Sequence, residues 1–356
     1  MRLAIAGGGT GGHVFPAMAV AREWLGRGRE REVLLVGTER GMEAKLVREA
    51  GLPFATIPVG GLKGIGGARL LRNLALLGPA MAESNAILSR QRFAAAFGVG
   101  GYASGPFILS AALAGVPSVI FEPNAEPGFT NRVLAGMVRR VATAYRSTAD
   151  RLGSRAVVTG TPVRAAFFEI AAKPHTPPLR LLITGGSQGS LVINRTVIDS
   201  LDALFPQKNR LFIIHQSGER DYNAVRVAYA RREFNAEVVP FISNMAEEFA
   251  RADLIVCRAG AITAAEIAAA GRAAIFIPFG AATDSHQLRN AQALESAGAA
   301  RVIPEPQLSP QRLVEEISTL LENPQRMEEM ERRARSLARP SAVADIVNLI
   351  EEAVRQ

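Results

Sequence analysis

Residues 7–17 read GGGTGGHVFPA, and residues 185–190 read GGSQGS. Each glycine run follows a short apolar strand, Leu3–Ala6 or Leu181–Thr184, and opens a helix-like run. Glycine lets the backbone approach an anion closely, and a helix start offers unpaired N–H groups at the positive end of its dipole. One such turn suggests a phosphate site. Two, half a chain apart, suggest two nucleotide-fold halves facing a shared cleft. A further loop, GVGGYASGP over residues 98–106, lies in the first half, and with the first loop its Gly100, Gly101, Tyr102 and Ser104 suit a diphosphate. His13 stands at the first helix start, where the dipole favours a neutral imidazole able to act as a base; a ring that only hydrogen-bonds a substrate fits the same place.

In the second half, CRAGAITAAE over residues 257–266 runs from a strand end into a helix. Thr263 and Glu266 share a helix face. N–H groups there can hold phosphate while the carboxylate takes two sugar hydroxyls, and the same pair fits a capping box ahead of an alanine-rich helix. Gln287 and Asn290, in the polar run after Pro278-Phe279, are uncharged groups of the kind that read sugar hydroxyls. His175 falls in a proline-rich stretch and reads as inert, His215 ends a strand as a structural group, and His286 lies in a loop where a ligand could sit. No spacing suggests zinc, and no D-x-D pair is present to bind a metal.

Strand-like runs at Val33–Val36, Ala94–Val99, Ser118–Phe121, Val157–Thr159, Leu211–His215, Leu254–Cys257 and Ala274–Pro278 alternate with helix-like runs, the pattern of parallel sheets with helical crossovers. Thr161–Pro178 reads as the linker, and Ser309–Gln356 as helices punctuated by Asn323-Pro324 and Arg339-Pro340. At 356 residues the chain is long for one core and comfortable for two, and its 48% hydrophobic and 21% charged residues are those of a globular protein. Cys257 is the only cysteine, which fits a reducing compartment, and Met1-Arg2 leads into a strand with no signal peptide. Phe93–Phe121 carries no charge but is broken by glycine and proline where an α/β unit needs turns, so it reads as strand, buried helix and strand, not as a membrane span.

The net charge of +8 is uneven: residues 1–162 hold 19 Lys/Arg against 10 Asp/Glu, while residues 163–356 hold 22 against 23. An anionic partner is expected at the first half. Between Gly61 and Phe93, Leu70, Leu71, Leu74 and Leu77 recur at helical spacing beside Lys63, Arg69 and Arg72; such a face can lie on an anionic leaflet or bury itself in the core. The G-x-G-x-x-G at Gly7–Gly12 also raises a dinucleotide-binding dehydrogenase, but that reading wants an acid closing the second strand, and Val33–Thr38 has none before Glu39.

GGTGGH, GVGGYASGP, GTPVR, GGSQG and CRAGAITAAE, in this order and spacing from Leu3 to about Val347, resemble the MurG family of bacterial N-acetylglucosaminyltransferases, which convert lipid I into lipid II in peptidoglycan synthesis. The resemblance implies an α/β GT-B architecture of two Rossmann-like domains. Residues 1–162, with a last helix at 341–356 packing back, would take the lipid-linked acceptor and touch the membrane; residues 163–340 would hold UDP-N-acetylglucosamine. It implies that Thr10, Gly11 and Gly12 line the donor sugar, that Asn124 approaches sugar or acceptor, and that Arg164 and Ser187 approach the diphosphate. Ile242 would flank the uracil, Ala261, Ile262, Thr263, Ala264, Ala265 and Glu266 would hold phosphate and ribose, and Gln287 would contact the N-acetylglucosamine. Two departures stand out. The family's usual HEQN is Phe121-Glu122-Pro123-Asn124 here, leaving His13 and Glu122 as base candidates, and its GNPVR has Thr161 in place of Asn. The implied enzyme is an inverting hexosyltransferase without cofactor, peripheral on the anionic cytoplasmic face of the inner membrane. It would bind no nucleic acid and would work beside cell-wall synthesis and division proteins. Another GT-B enzyme on the same donor, such as a UDP-sugar epimerase, is the nearest alternative.

Overall fold

The computed structural model describes residues 1–8, 11–39, 42–60, 75–280 and 285–355, with backbone alone at 11, 42 and 43. Two compact units emerge: Met1–Val163 with Arg339–Gln356, and Arg164–Ala338. The first unit holds β1 (Arg2–Gly7), β2 (Glu32–Gly37), β3 (Phe54–Thr56), β4 (Ala95–Gly100), β5 (Ser118–Glu122), β6 (Arg140–Thr143) and β7 (Ala156–Val158). The second holds β8 (Leu179–Thr184), β9 (Leu211–Gln216), β10 (Ala236–Val239), β11 (Leu254–Cys257), β12 (Ala273–Phe276) and β13 (Arg301–Val302). Among the described residues every strand pairs in parallel with its neighbours, in the orders β3-β2-β1-β4-β5-β6-β7 and β10-β9-β8-β11-β12-β13.

Parallel strands are covered by helices on both faces, so they read as unbroken apolar runs instead of alternating. Leu3–Ala6 and Leu254–Cys257 obey this, each residue being essentially unexposed. The order reverses once in each sheet, at β1/β4 and at β8/β11. Loops leaving neighbouring strands there turn to opposite faces and open a crevice beyond the strand ends. The uncharged stretch over residues 93–121 folds as β4, the helix Ser104–Leu113 and β5, and among the described residues no helix is long and apolar enough to cross a membrane.

The helix Ala342–Arg355 returns to the first unit, where Ile346, Val347, Leu349 and Ile350 join the core around Trp24. Glu351 on its outer side meets Arg27 at 3.2 Å and Arg31 at 2.7 Å. The Trp24 indole N–H donates to the Glu32 carbonyl at 3.0 Å, so the largest core side chain is buried without an orphaned donor.

The expected linker is not a solvated tether. Its residues 164–178 are drawn onto the second unit, where Phe167 is fully buried edge-on against Phe249, ring centroids 5.1 Å apart. His175 is likewise buried and not inert: Nδ1 lies 2.8 Å from Asp253 Oδ1 and Nε2 3.5 Å from Glu331 Oε2. Lys173 reaches the same aspartate at 2.6 Å. Burial pulls the imidazole pKa down, but the bonds and charges of Asp253 and Glu331 outweigh it and raise it to about 9. The folded value therefore lies above the ordinary 6.5, so the paired imidazolium stabilises the fold fully below about pH 6.5 and loses this contribution as pH rises through about 9. His175→Gln is expected to flatten the decline of unfolding free energy over that window in urea titrations. An undiminished decline would contradict the assignment.

Candidate functional site

In the first unit β1 and β4 end side by side, with Gly7 opposite Gly100. Gly101 has φ +82°, and a Cβ there would run into the Gly8 carbonyl oxygen. A Cβ on Gly100 would sit 2.9 Å from Cδ2 and 3.0 Å from Nε2 of His13. The two glycine loops are thus one structure, and the His13 ring lies against it. Gly11, Gly12 and His13 form the first turn of the helix Gly11–Gly26, whose opening N–H groups lack intrahelical acceptors. Tyr102 is half exposed at the rim. The Ser104 hydroxyl is buried against Gly98, while its backbone N–H stands at the start of the helix Ser104–Leu113.

The Glu122 carboxylate is engaged within its own turn. The residue closes β5 and is 1% exposed. Its Oε1 accepts from the Asn124 backbone N at 3.0 Å and Nδ2 at 2.9 Å, and its Oε2 from Gly128 N and Asn131 Nδ2, both at 2.9 Å. Two carboxylate oxygens have about four acceptor positions, and four donors fill them. The carboxylate clamps the turn over residues 123–128 and holds Asn124 in place. Thr148 secures the same turn, donating to the carbonyls of Asn124 and Ala125 at 2.9 Å.

In the second unit the turn over residues 185–190 follows β8, and the helix Ala261–Ala270 follows β11, at that sheet's reversal point. Ser187 is exposed on the turn. Gly189, at φ +70°, rests on the Ser217 carbonyl, which a Cβ would strike. The helix starts at Ala261 after Gly260, so Ala261, Ile262 and Thr263 supply its first N–H groups. The capping box is not formed: Thr263 lies inside the helix and makes no cap bond, and Glu266 instead meets Arg164 Nη2 at 3.2 Å. Burial raises the Glu266 carboxyl pKa to about 7 against the opposing pull of Arg164, so the group is poised to change charge near neutrality. Arg164 also stacks 4.9 Å from the Phe167 ring centroid.

Arg258, Gln216 and Asn194 take part without having been singled out in the sequence. Arg258 donates to Ser190 Oγ at 2.8 Å, the Ile277 carbonyl at 3.0 Å and Glu305 Oε2 at 2.5 Å, tying together the segments that leave β8, β11 and β12. A lone cation directly after the apolar run Leu254–Cys257 was the available signal. Gln216 bonds both Gly186 and Ile242. Asn194 fixes the Ser217 carbonyl at 2.8 Å and the His215 ring at 3.0 Å; burial holds that imidazole neutral, its pKa lowered to about 3. Gln287 accepts from Phe279 N at 2.9 Å, and Asn290 is buried and donates to the Ala259 carbonyl at 3.3 Å. Thr10 and Lys63, Arg69, Leu70, Leu71, Arg72 and Leu74 lie outside the described residues, while Leu77 opens the helix Leu77–Arg90 half-buried.

Both halves match domains of one family: the glycosyltransferase family 28 N-terminal domain over residues 3–143 and its C-terminal domain over residues 180–349. The chain belongs to glycosyltransferase family 28. A relative from Myxococcus xanthus, 43% identical across 98% of this chain and 92% of its own length, is a UDP-N-acetylglucosamine–N-acetylmuramyl-(pentapeptide) pyrophosphoryl-undecaprenol N-acetylglucosamine transferase. One from Syntrophus aciditrophicus with the same name is 43% identical over 98% and 97%. The crystal structure of Acinetobacter baumannii MurG is 35% identical, covers 99% of both chains and superposes with a TM-score of 0.79. These likenesses bear out the family resemblance and the two-domain GT-B fold. A Neisseria meningitidis UDP-GlcNAc 2-epimerase, 12% identical with a TM-score of 0.71, shares the fold alone.

If Glu122 clamps the turn, Glu122→Ala removes the acceptor of four donors and should lower the unfolding free energy of this family-28 chain by about 3 kcal/mol. A variant that loses turnover at unchanged stability would restore Glu122 as a base.

Proposed function

We propose that the chain transfers N-acetylglucosamine from UDP-N-acetylglucosamine to the muramic acid 4-hydroxyl of undecaprenyl-diphospho-N-acetylmuramyl-pentapeptide, giving the disaccharide lipid of peptidoglycan synthesis. The observation that carries the reading is the convergence at the β8/β11 reversal of an exposed Ser187 turn, the helix start at Ala261–Thr263 and the Arg164–Glu266 pair. Helix N–H groups and a guanidinium suit a diphosphate, and a half-buried carboxylate suits a vicinal diol. The names of the family relatives supply the sugar and the acceptor.

In this reading the acceptor oxygen attacks C1 of the sugar as the bond from C1 to the β-phosphate oxygen breaks on the opposite face, so the α-linked donor gives a β-linked product. Negative charge grows on the departing UDP, where Arg164, Ser187 and the N–H groups of Ala261–Thr263 stabilise it. His13 takes the acceptor proton; with Glu122 fully engaged by its own turn, His13 carries this role alone among the two candidates. The first unit takes the acceptor diphosphate on its joined loops, with Gly100, Gly101 and Tyr102 at the rim. Peripheral attachment to an anionic leaflet draws support from the first half's basic excess. It also draws support from Phe129 and Val133, four apart and exposed on the helix Phe129–Ala135 with Arg132 beside them. Cell-wall synthesis and division proteins are the partners that such a placement implies.

Incubation with labelled UDP-N-acetylglucosamine and a lipid I analogue in anionic vesicles tests this. Labelled disaccharide lipid and free UDP are expected, with kcat for His13→Ala reduced about a hundredfold or more at unchanged stability. No product beside an active relative would overturn the function, and a His13→Ala variant of near-normal kcat would overturn the base.

A further inference from the structure

Gln216 is the last residue of β9, lies between the ends of β8 and β10, and is 1% exposed. Strand ends in a parallel sheet are apolar inside, so a fully buried amide there has to find both a donor and an acceptor partner. It does so on two different loops. Its Nε2 donates to the carbonyl of Gly186 at 2.7 Å, and its Oε1 accepts from the backbone N–H of Ile242 at 2.9 Å. Both partners lie outside the strand ladders, so neither segment is held at these atoms by sheet pairing. Gly186 belongs to the turn that carries Ser187, and Ile242 lies in the segment after β10.

We infer that Gln216 is a positioning residue whose single amide sets the distance between the phosphate-binding turn over residues 185–190 and the nucleobase-flanking segment at Ile242. The inference rests on the donor reading above. In a uridine nucleotide the base and the diphosphate are covalently linked through one ribose. Each end binds as an intramolecular partner of the other only while the protein keeps the two subsites at the matching distance. Removing the amide tie leaves both subsites intact but lets their spacing drift. Affinity for the linked ligand then falls, while affinity for the phosphate fragment alone does not.

Two variants test this in the full chain. Gln216→Met keeps length and volume and loses both bonds. Gln216→Glu keeps an acceptor for Ile242 N–H but sets an oxygen against the Gly186 carbonyl. Titration calorimetry with UDP and with inorganic pyrophosphate, and donor kinetics, are the readouts, with thermal melting as the folding control. Gln216→Met is expected to weaken UDP and raise the donor KM by about tenfold, with kcat and pyrophosphate affinity within roughly twofold of wild type. Gln216→Glu should shift the same way, and it decides the matter should the methionine variant not fold. UDP affinity unchanged in the folded variants would overturn the inference. So would an equal loss of pyrophosphate affinity, which would mean that the turn itself had collapsed. A wild-type chain that binds no uridine nucleotide would overturn the donor reading, and this inference with it.

Discussion

The structure depends on one steric constraint: beyond the ends of adjacent parallel strands, the backbone of one loop must touch the backbone of the next. Gly101 against the Gly8 carbonyl and Gly189 against the Ser217 carbonyl are the two places where this is strictest, and both sit at positive φ. A side chain at either would push the loops apart and close off the N–H groups that follow. The first contact lies where its sheet reverses its order, at β1/β4, and the second joins the loops after β8 and β9, beside the β8/β11 reversal; the helix starts at Gly11 and Ala261 follow the strands at the two reversal points. Glycine at these points is therefore a packing requirement.

Steric contact alone would leave the loops soft. Buried polar side chains stiffen them, each aimed at backbone atoms instead of at another side chain's charge alone. Glu122 gathers four donors around the turn over residues 123–128, Gln216 joins Gly186 to Ile242, and Arg258 joins Ser190 to Ile277. A buried polar group with every position filled is rigid, and emptying one is costly. The protein thus holds its candidate binding surfaces with buried polar groups, and among them the Glu122 carboxylate has about all of its acceptor positions filled. Glu266, buried and balanced against Arg164, stands apart as the carboxylate with a charge still to be set by what binds.

Much of this was legible in the residues. The apolar runs located the strands because parallel strands are buried on both faces, and the glycine runs located the turns after β1, β4 and β8, where backbone contact leaves no room for a side chain. The joint order of GGTGGH, GVGGYASGP and GGSQG pointed to the family. What was not legible was tertiary. Glu122 reads as a base by type, and only its four donors make it a clamp. His175 looks idle among prolines because Asp253 and Glu331, its partners, are 78 and 156 residues away. Thr263 and Glu266 have capping-box spacing, yet the helix begins two residues earlier, which frees Glu266 for Arg164. Gln216 gave no signal, since a polar residue closing a strand is ordinary until its two partners are seen.

The central claim is that the uridine diphosphate half of the donor is held at the β8/β11 reversal. Amide hydrogen exchange of the full chain, with and without UDP, reads this directly. Protection should appear in residues 185–190, at Ile242 and at Ala261–Glu266, with the loops over residues 98–106 unchanged. Protection confined to the loops of the first unit, or none in the second, would contradict the account.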